Sequence, residues 1–215
     1  MTFASRVQRL WAHLSGQQPS YVRTYPRHLA WRSMEAFLLL ADCLYLPELL
    51  MLLNRIFKTN TRRLTTDEIA LARSIFGDSI NYKQVWIDER AHIGCRQHHL
   101  AYVGFCVINA WGPLSEPLYL HEMVHVWQYQ RLGSVYIPRA LYAQRTPAGY
   151  NYGGIAGLRR AAEQGRGLAD FNFEQQGDVV ADYFCLLQGY EPRWCPDEVG
   201  YLGDFERVVG LKPHP

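Results

Sequence analysis

The segment LHEMVHVWQYQ, from Leu120 to Gln130, restricts the fold of this chain more than any other stretch. It places His121 and His125 four residues apart, with Glu122 beside the first and apolar Leu120, Val124 and Trp127 recurring at helical spacing. Residues four apart share one helix face, so both imidazoles can address a single point. Glu122 is turned from His121 by about 100°, the step of a 3.6-residue period, and borders that point without joining it. A fold that uses this pattern must bury the helix and bring a further group to the same point from elsewhere. HExxH is the order in which two imidazoles hold zinc and the Glu acts as general base. His121 and His125 are therefore the expected ligands and Glu122 the expected catalytic residue. Two histidines capping a core or lying on a solvated face are the alternative, and the apolar spacing around them favours the metal.

A catalytic zinc takes three protein ligands and keeps its fourth position for water. The later segment FNFEQQGDVVADYF carries Glu174 and, four residues on, Asp178. They share a helical face, and a ligating imidazole usually donates its second N–H to a carboxylate. Taken alone, the pair fits a solvated acidic face equally well. After HExxH, however, Glu-x-x-x-Asp resembles the thermolysin-like enzymes, the gluzincins. That resemblance implies Glu174 as third ligand and Asp178 as hydrogen-bond partner of a zinc histidine. It also implies an edge strand of Asn-Ala-aromatic character, here Asn109-Ala110-Trp111, which would bind extended peptide by strand addition. The oxyanion of a tetrahedral intermediate needs a donor. Tyr150, Tyr152 and His99 are candidates, with Tyr152 named first from its place in the glycine-flanked loop. His92, Cys95, His98 and His99 suggest a second metal site, but strand neighbours alternate faces, so a hairpin with exposed histidines is expected.

The rest of the chain supplies the frame. With 48% hydrophobic residues among 215, there is material for one packed domain with a helical appendage. We divide it into a helical N-terminal region, 1–62, and a metallopeptidase domain, 63–215. Thr65 and Glu68 predict a capping box before a helix from Ile69 to Phe76, closed by Gly77. From Asn81 to Ile108 the period moves towards two, predicting antiparallel strands. The expected fold is thus α+β and gluzincin-like, a small antiparallel sheet packed on the zinc helix. The segment from Thr146 to Gly167 reads as mainly loop with one short helical patch, and Phe173 to Leu187 as helix. The most apolar stretch, residues 36–53, approaches the length of a membrane span, but Asp42, Pro47 and Glu48 interrupt it. A buried helical hairpin broken near Pro47 is expected, with contact to a membrane surface or a partner protein as the intermediate case.

Five widely spaced cysteines without a CxxC pair predict free thiols. A net charge of +2 without a basic block excludes nucleic acid as an expected partner. The N-terminus shows no apolar core followed by a small-residue cleavage site, so no secretory signal is expected and a cytoplasmic location in the producing cell is.

Three stretches, RRLTTDEIALARSIFGDSINYKQVWID, FCVINAWGPLSEPLYLHEMVHVWQYQ and YNYGG with FNFEQQGDVVADYF, together resemble a family of bacterial Vgr-related metallopeptidase domains. The resemblance covers roughly residues 62–190; residues 1–60 fall outside it, and no spike domain is expected within these 215 residues. It implies zinc-dependent hydrolysis of peptide bonds by an antibacterial type VI secretion effector in the periplasm of a target cell. A protein or peptide substrate, a secretion-spike partner and an immunity protein go with that reading. Its rivals are a zinc amidase acting on cell-wall peptides, a cytosolic cellular peptidase, and a zinc-stabilised interaction module without catalysis.

Overall fold

In the computed structural model, residues 2–17, 25–26, 28–58, 60–97, 100–195 and 201–210 are described. The architecture is mixed α+β, built around helices α5 (Glu116–Leu132) and α8 (Phe173–Gln188), which pack on each other more extensively than any other pair. Ser115 precedes α5, with Pro117 in its first turn, and Gly133 ends it at φ 77. All residues from Tyr119 to Tyr129 are buried, so α5 is enclosed on every side rather than amphipathic. The Asn172 side chain caps α8 by accepting from the Glu174 and Gln175 amides, and Gln175 returns the bond to complete a capping box. At Gly177 the α8 backbone lies directly against a side chain of α5. A Cβ there would overlap the His121 imidazole, so only glycine admits this approach.

Four short strands form one sheet beside α5: β1 (Thr61–Arg63), β2 (Trp86–Asp88), β3 (Tyr102–Gly104) and β4 (Val107–Asn109), in the order β1-β2-β4-β3. The expected all-antiparallel sheet needs correction. β1–β2 and β3–β4 are antiparallel, but β2 and β4 run parallel, with Ile87 opposite Ile108. The reason lies between them, where Tyr102–Gly104 and Val107–Asn109 fold as a hairpin through Phe105 at φ 60. That reversal adds β3 at the edge and returns β4 parallel to β2. A second correction follows: Asn109 belongs to an inner strand, opposite Asp88 on one side and Tyr102 on the other. Ala110 is also engaged, bonded to Asp88 and Ala91. Neither backbone is free to receive a substrate strand.

Helix α4 (Thr66–Phe76) starts with the expected Thr65–Glu68 capping box and ends at Gly77. The Thr146–Gly167 stretch holds more helix than expected, α7 (Gly154–Glu163), and α6 (Tyr136–Gln144) comes just before it. Helix α9 (Leu202–Val209) packs on α7 and α8.

The N-terminal region holds three helices, α1 (Phe3–Leu14), α2 (Leu29–Cys43) and α3 (Leu46–Phe57), but Thr61 and Arg62, expected in it as helical, belong to strand β1 of the sheet. The break between α2 and α3 falls at Tyr45, at φ 57, with Pro47 in the next turn, where its missing N–H costs nothing. Buried polar links tie this region to the rest. Asp42 accepts from the Ser134 amide at 2.8 Å and its hydroxyl at 2.5 Å, and Arg139 donates to Glu35 at 2.7 Å. The hairpin is buried only in part, through Glu35, Leu39, Ala41, Asp42 and Pro47, which corrects the expectation of a buried one. Leu44 is 73% exposed and Phe57 81%. Among the described residues no single helix is long and apolar enough to cross a membrane; α2 and α3 reach that length only together, bent by 68°.

Candidate metal centre

His121 and His125 lie one turn apart on α5, and Glu174 enters from the first turn of α8. All three are buried, and one potential ligand atom from each lies within 4.8 Å of the others. Glu174 Oε2 stands 3.4 Å from His121 Nε2 and 3.5 Å from His125 Nε2. These are ion-pair distances, and that oxygen has no hydrogen-bond partner of good geometry. The other carboxylate oxygen accepts from Gln144 Nε2 at 3.0 Å, which turns Oε2 towards the imidazoles.

The outer nitrogen of each ring is also taken. His121 Nδ1 lies 2.8 Å from Asp178 Oδ1, so Asp178 meets the imidazole nitrogen that points away from Glu174. The other oxygen of Asp178 accepts from Trp194 Nε1 at 2.6 Å and from Arg193 at 3.2 Å. His125 Nδ1 meets Gln128 Oε1 at 2.8 Å. Here a chain of amides fixes the tautomer. The Phe171 carbonyl can only accept, so Gln176 turns its NH₂ to it at 2.8 Å and its oxygen to Gln128. Gln128 then donates to that oxygen and to the Phe173 carbonyl, both at 2.9 Å, leaving its own oxygen for His125. His125 must therefore carry a proton on Nδ1, which leaves Nε2, the nitrogen that faces Glu174, as the one a metal would use.

The electrostatics match a cluster that expects a cation. Burial opposes the His121 imidazolium, but Asp178 and Glu174 outweigh it and push the ring up to about 10. Burial likewise opposes the charge on His125, and Glu174 overrides it, raising that ring too. For Glu174 burial would favour the neutral acid, yet His125 and His121 hold it well below the usual carboxylate range. Without an ion, protons on the imidazoles supply the positive charge; a metal would replace them. Two imidazole nitrogens and a carboxylate oxygen, each oriented by a second partner, suit zinc. The orphaned, buried Glu174 Oε2 fits such a ligand.

Glu122 is buried beside the triad and is not one of its members. Its Oε2 has no hydrogen-bond partner, and burial raises its carboxyl, partly offset by His125 and His121. Tyr152 is not brought to this cluster. Its hydroxyl donates to Asp182 at 2.7 Å and meets Cys195 Sγ at 3.5 Å, deep in the packing behind α8. Asp182 also accepts the Arg193 and Trp194 amides at 2.7 and 3.0 Å. Tyr152 therefore helps hold the turn that delivers Trp194 to Asp178. Tyr150, two residues earlier, is the tyrosine at the site, its ring 5.9 Å from that of His121; burial and the nearby Glu174 and Glu122 carboxylates raise the pKa of its hydroxyl.

Of the second cluster, His98 and His99 lie outside the described residues. His92 is exposed and packs edge-on against Trp111, while Cys95 points inward to the Asn109 carbonyl. Sequence reasoning missed Gln128, although it lies three residues beyond His125 on the same face. It also missed Gln144, Arg193 and Trp194, which no local pattern marks.

The chain is 33% identical over 135 residues to the Type VI secretion system spike protein VgrG2b of Pseudomonas aeruginosa, a match covering 57% of this chain. It spans only 13% of that relative's length. This weak homology supports a relationship to type VI secretion Vgr proteins. No family model matches the chain, and no solved structure is a significant match.

Proposed function

We propose that this protein is a zinc-dependent metallopeptidase whose ligands are His121, His125 and Glu174 and whose general base is Glu122. The observation that carries the reading is the buried Glu122 carboxylate with an unpartnered oxygen, set next to three oriented donor groups. A structural metal site has no use for such a carboxylate, because it fills all four positions with ligands. When bound, the ion supplies Lewis acidity, polarising a carbonyl and acidifying water.

The chain's own residues do the rest. Glu122 accepts a proton from water as the water oxygen bonds to the carbonyl carbon. It returns that proton to the amine nitrogen as the C–N bond breaks, giving a carboxylic acid and an amine. Its raised pKa suits a group that must both take and give a proton. Tyr150, beside His121, replaces Tyr152 as the oxyanion donor. Asp178 and Gln128 keep the imidazoles in the tautomers that bind metal.

The Vgr relationship extends the reading to an effector of type VI secretion, with a peptide or protein substrate in the target-cell periplasm. The deciding experiment is metal analysis joined to digestion of a peptide library and of peptidoglycan. One zinc per chain and cleaved peptides are expected. Glu122→Gln should retain zinc and lose at least ~10²-fold in rate. Equal hydrolysis by Glu122→Gln overturns the mechanism, and digestion of peptidoglycan alone transfers the site to cell-wall amides.

A further inference from the structure

Among the described residues, 16 of the 23 exposed large apolar side chains lie between residues 3 and 57, on α1, α2, α3 and the α2–α3 turn. Such concentration is not the scatter of an ordinary surface. On α3 the pattern is regular. Leu46, Leu49, Leu50, Leu53, Ile56 and Phe57 form one stripe turned to solvent, inverse to the usual amphipathic helix. At twelve residues α3 is about 18 Å long, too short to span a hydrocarbon layer of ~30 Å but suited to lie in its interface.

The neighbouring side of α3 lines a groove of about 260 Å³ against the sheet. Its floor is apolar, with Met51, Leu52 and Trp86, and its cations are Arg55, Arg63 and Lys83. The two guanidiniums stand over Trp86, 4.0 and 3.7 Å from its ring centroid. No carboxylate lies within ion-pair distance of Arg55, Arg63 or Lys83 among the described residues, and the groove's one acid, Glu48, is held by Arg6. Residues 1–63 as a whole carry nine Lys or Arg against three Asp or Glu, while the remainder carries 13 against 17. All three acids are engaged internally: Glu35 with Arg139, Asp42 with Ser134 and Glu48 with Arg6. The apolar surface is thus edged by three cations, Arg55, Arg63 and Lys83, with which no carboxylate among the described residues forms an ion pair.

We propose that this face docks on an anionic phospholipid membrane, α3 lying in the interface and a phosphate headgroup seated between Arg55, Arg63 and Lys83. Anionic lipid answers both halves of the surface, apolar chain against the stripe and negative headgroup against the cations. A second copy answers only one half, because an isologous contact would set the same cations against each other. The proposal is independent of the hydrolytic reading, since none of these residues belongs to the metal centre.

Sedimentation of the full chain with vesicles tests it. Binding to phosphatidylglycerol-containing vesicles is expected, weakened by salt and absent with pure phosphatidylcholine. Arg55→Gln with Arg63→Gln should lower the partition coefficient roughly 30-fold, about fivefold per basic residue near the surface. Because those arginines pack on Trp86, a second variant is needed. Leu49→Gln with Leu53→Gln changes only exposed side chains and should also abolish binding, with circular dichroism unchanged. Equal binding to both lipids, no binding to either, or variants that bind like the wild type would overturn the proposal. Displacement from vesicles by inorganic phosphate would reassign the groove to a free anion. A dimer in solution that the leucine pair dissolves would assign the face to a second copy.

Discussion

Replacing Gly177 by alanine sets two opposite effects against each other, and the structure decides between them. Inside a helix, glycine to alanine ordinarily stabilises by about 1 kcal/mol through backbone entropy. At Gly177 the added methyl would collide with Cε1, Nδ1 and Nε2 of His121, atoms of a ring rather than the end of a flexible chain. That ring cannot swing aside cheaply, because its Nδ1 is held by Asp178, on the same helix as the new methyl. Overpacking of this kind costs about 1–3 kcal/mol, so the net expectation is a loss of up to ~2 kcal/mol. For a chain of this size that is a fall of several degrees in Tm. Displacing the imidazole should also weaken zinc binding by roughly 10–100-fold, as loss of an orienting partner does. Thermal melts with and without zinc, together with chelator competition, measure both. Gly203→Ala, in open space on α9, is the control and should be neutral or stabilising. A Gly177→Ala protein with raised Tm and undiminished zinc affinity would refute the α5–α8 approach on which the site depends.

Glu174→Ala should cost more zinc affinity than Asp178→Ala, because the first removes a donor atom and the second only its neighbour's partner; isothermal titration ranks them. Gln128→Leu, nearly the same size, removes the acceptor that holds a proton on His125 Nδ1, so the neutral ring should be free to take up the Nε2–H form; ¹⁵N shifts of the metal-free protein followed up to alkaline pH read the change, and a neutral ring still protonated on Nδ1 alone would contradict the amide chain. Glu68 is opposed by burial, yet Arg62 and the Thr65 amide hold it below its ordinary 4.5. Its stabilisation is therefore present above pH 4.5 and lost as pH falls through the lowered value. Glu68→Gln should be less stable than wild type by about 0.5–1 kcal/mol near neutrality, both side chains being partly exposed, and the gap should close in acid melts.

The parts of this fold legible in the sequence are those governed by a local period. HExxH needs only the helical repeat to place two imidazoles on one face, and Glu174 and Asp178 repeat the argument one helix later. The capping box of α4 is readable for the same reason. What escaped reading depends on contacts between distant segments. The parallel pairing of β2 with β4 follows from the reversal at Phe105, which alternation alone does not reveal. Tyr150 and Tyr152 are equivalent by composition, and only the course of the loop sends one to His121 and the other to Asp182. The apolar run at 36–53 shows helices plainly but not which side they turn outwards, since a stripe reads the same whether it faces a core or solvent.

The joining of α5 and α8 also carries a sense of time. Glu174 follows His125 by 49 positions, so at about 5–20 residues per second a ribosome exposes both histidines seconds before their carboxylate exists. Through that interval α5 lacks the helix that buries it, and its two imidazoles lack the anion that tolerates them together. Synthesis cut short ahead of α8 therefore leaves an inert, adhesive fragment and not a half-strength site. The centre is completed late, when the second helix closes over the first.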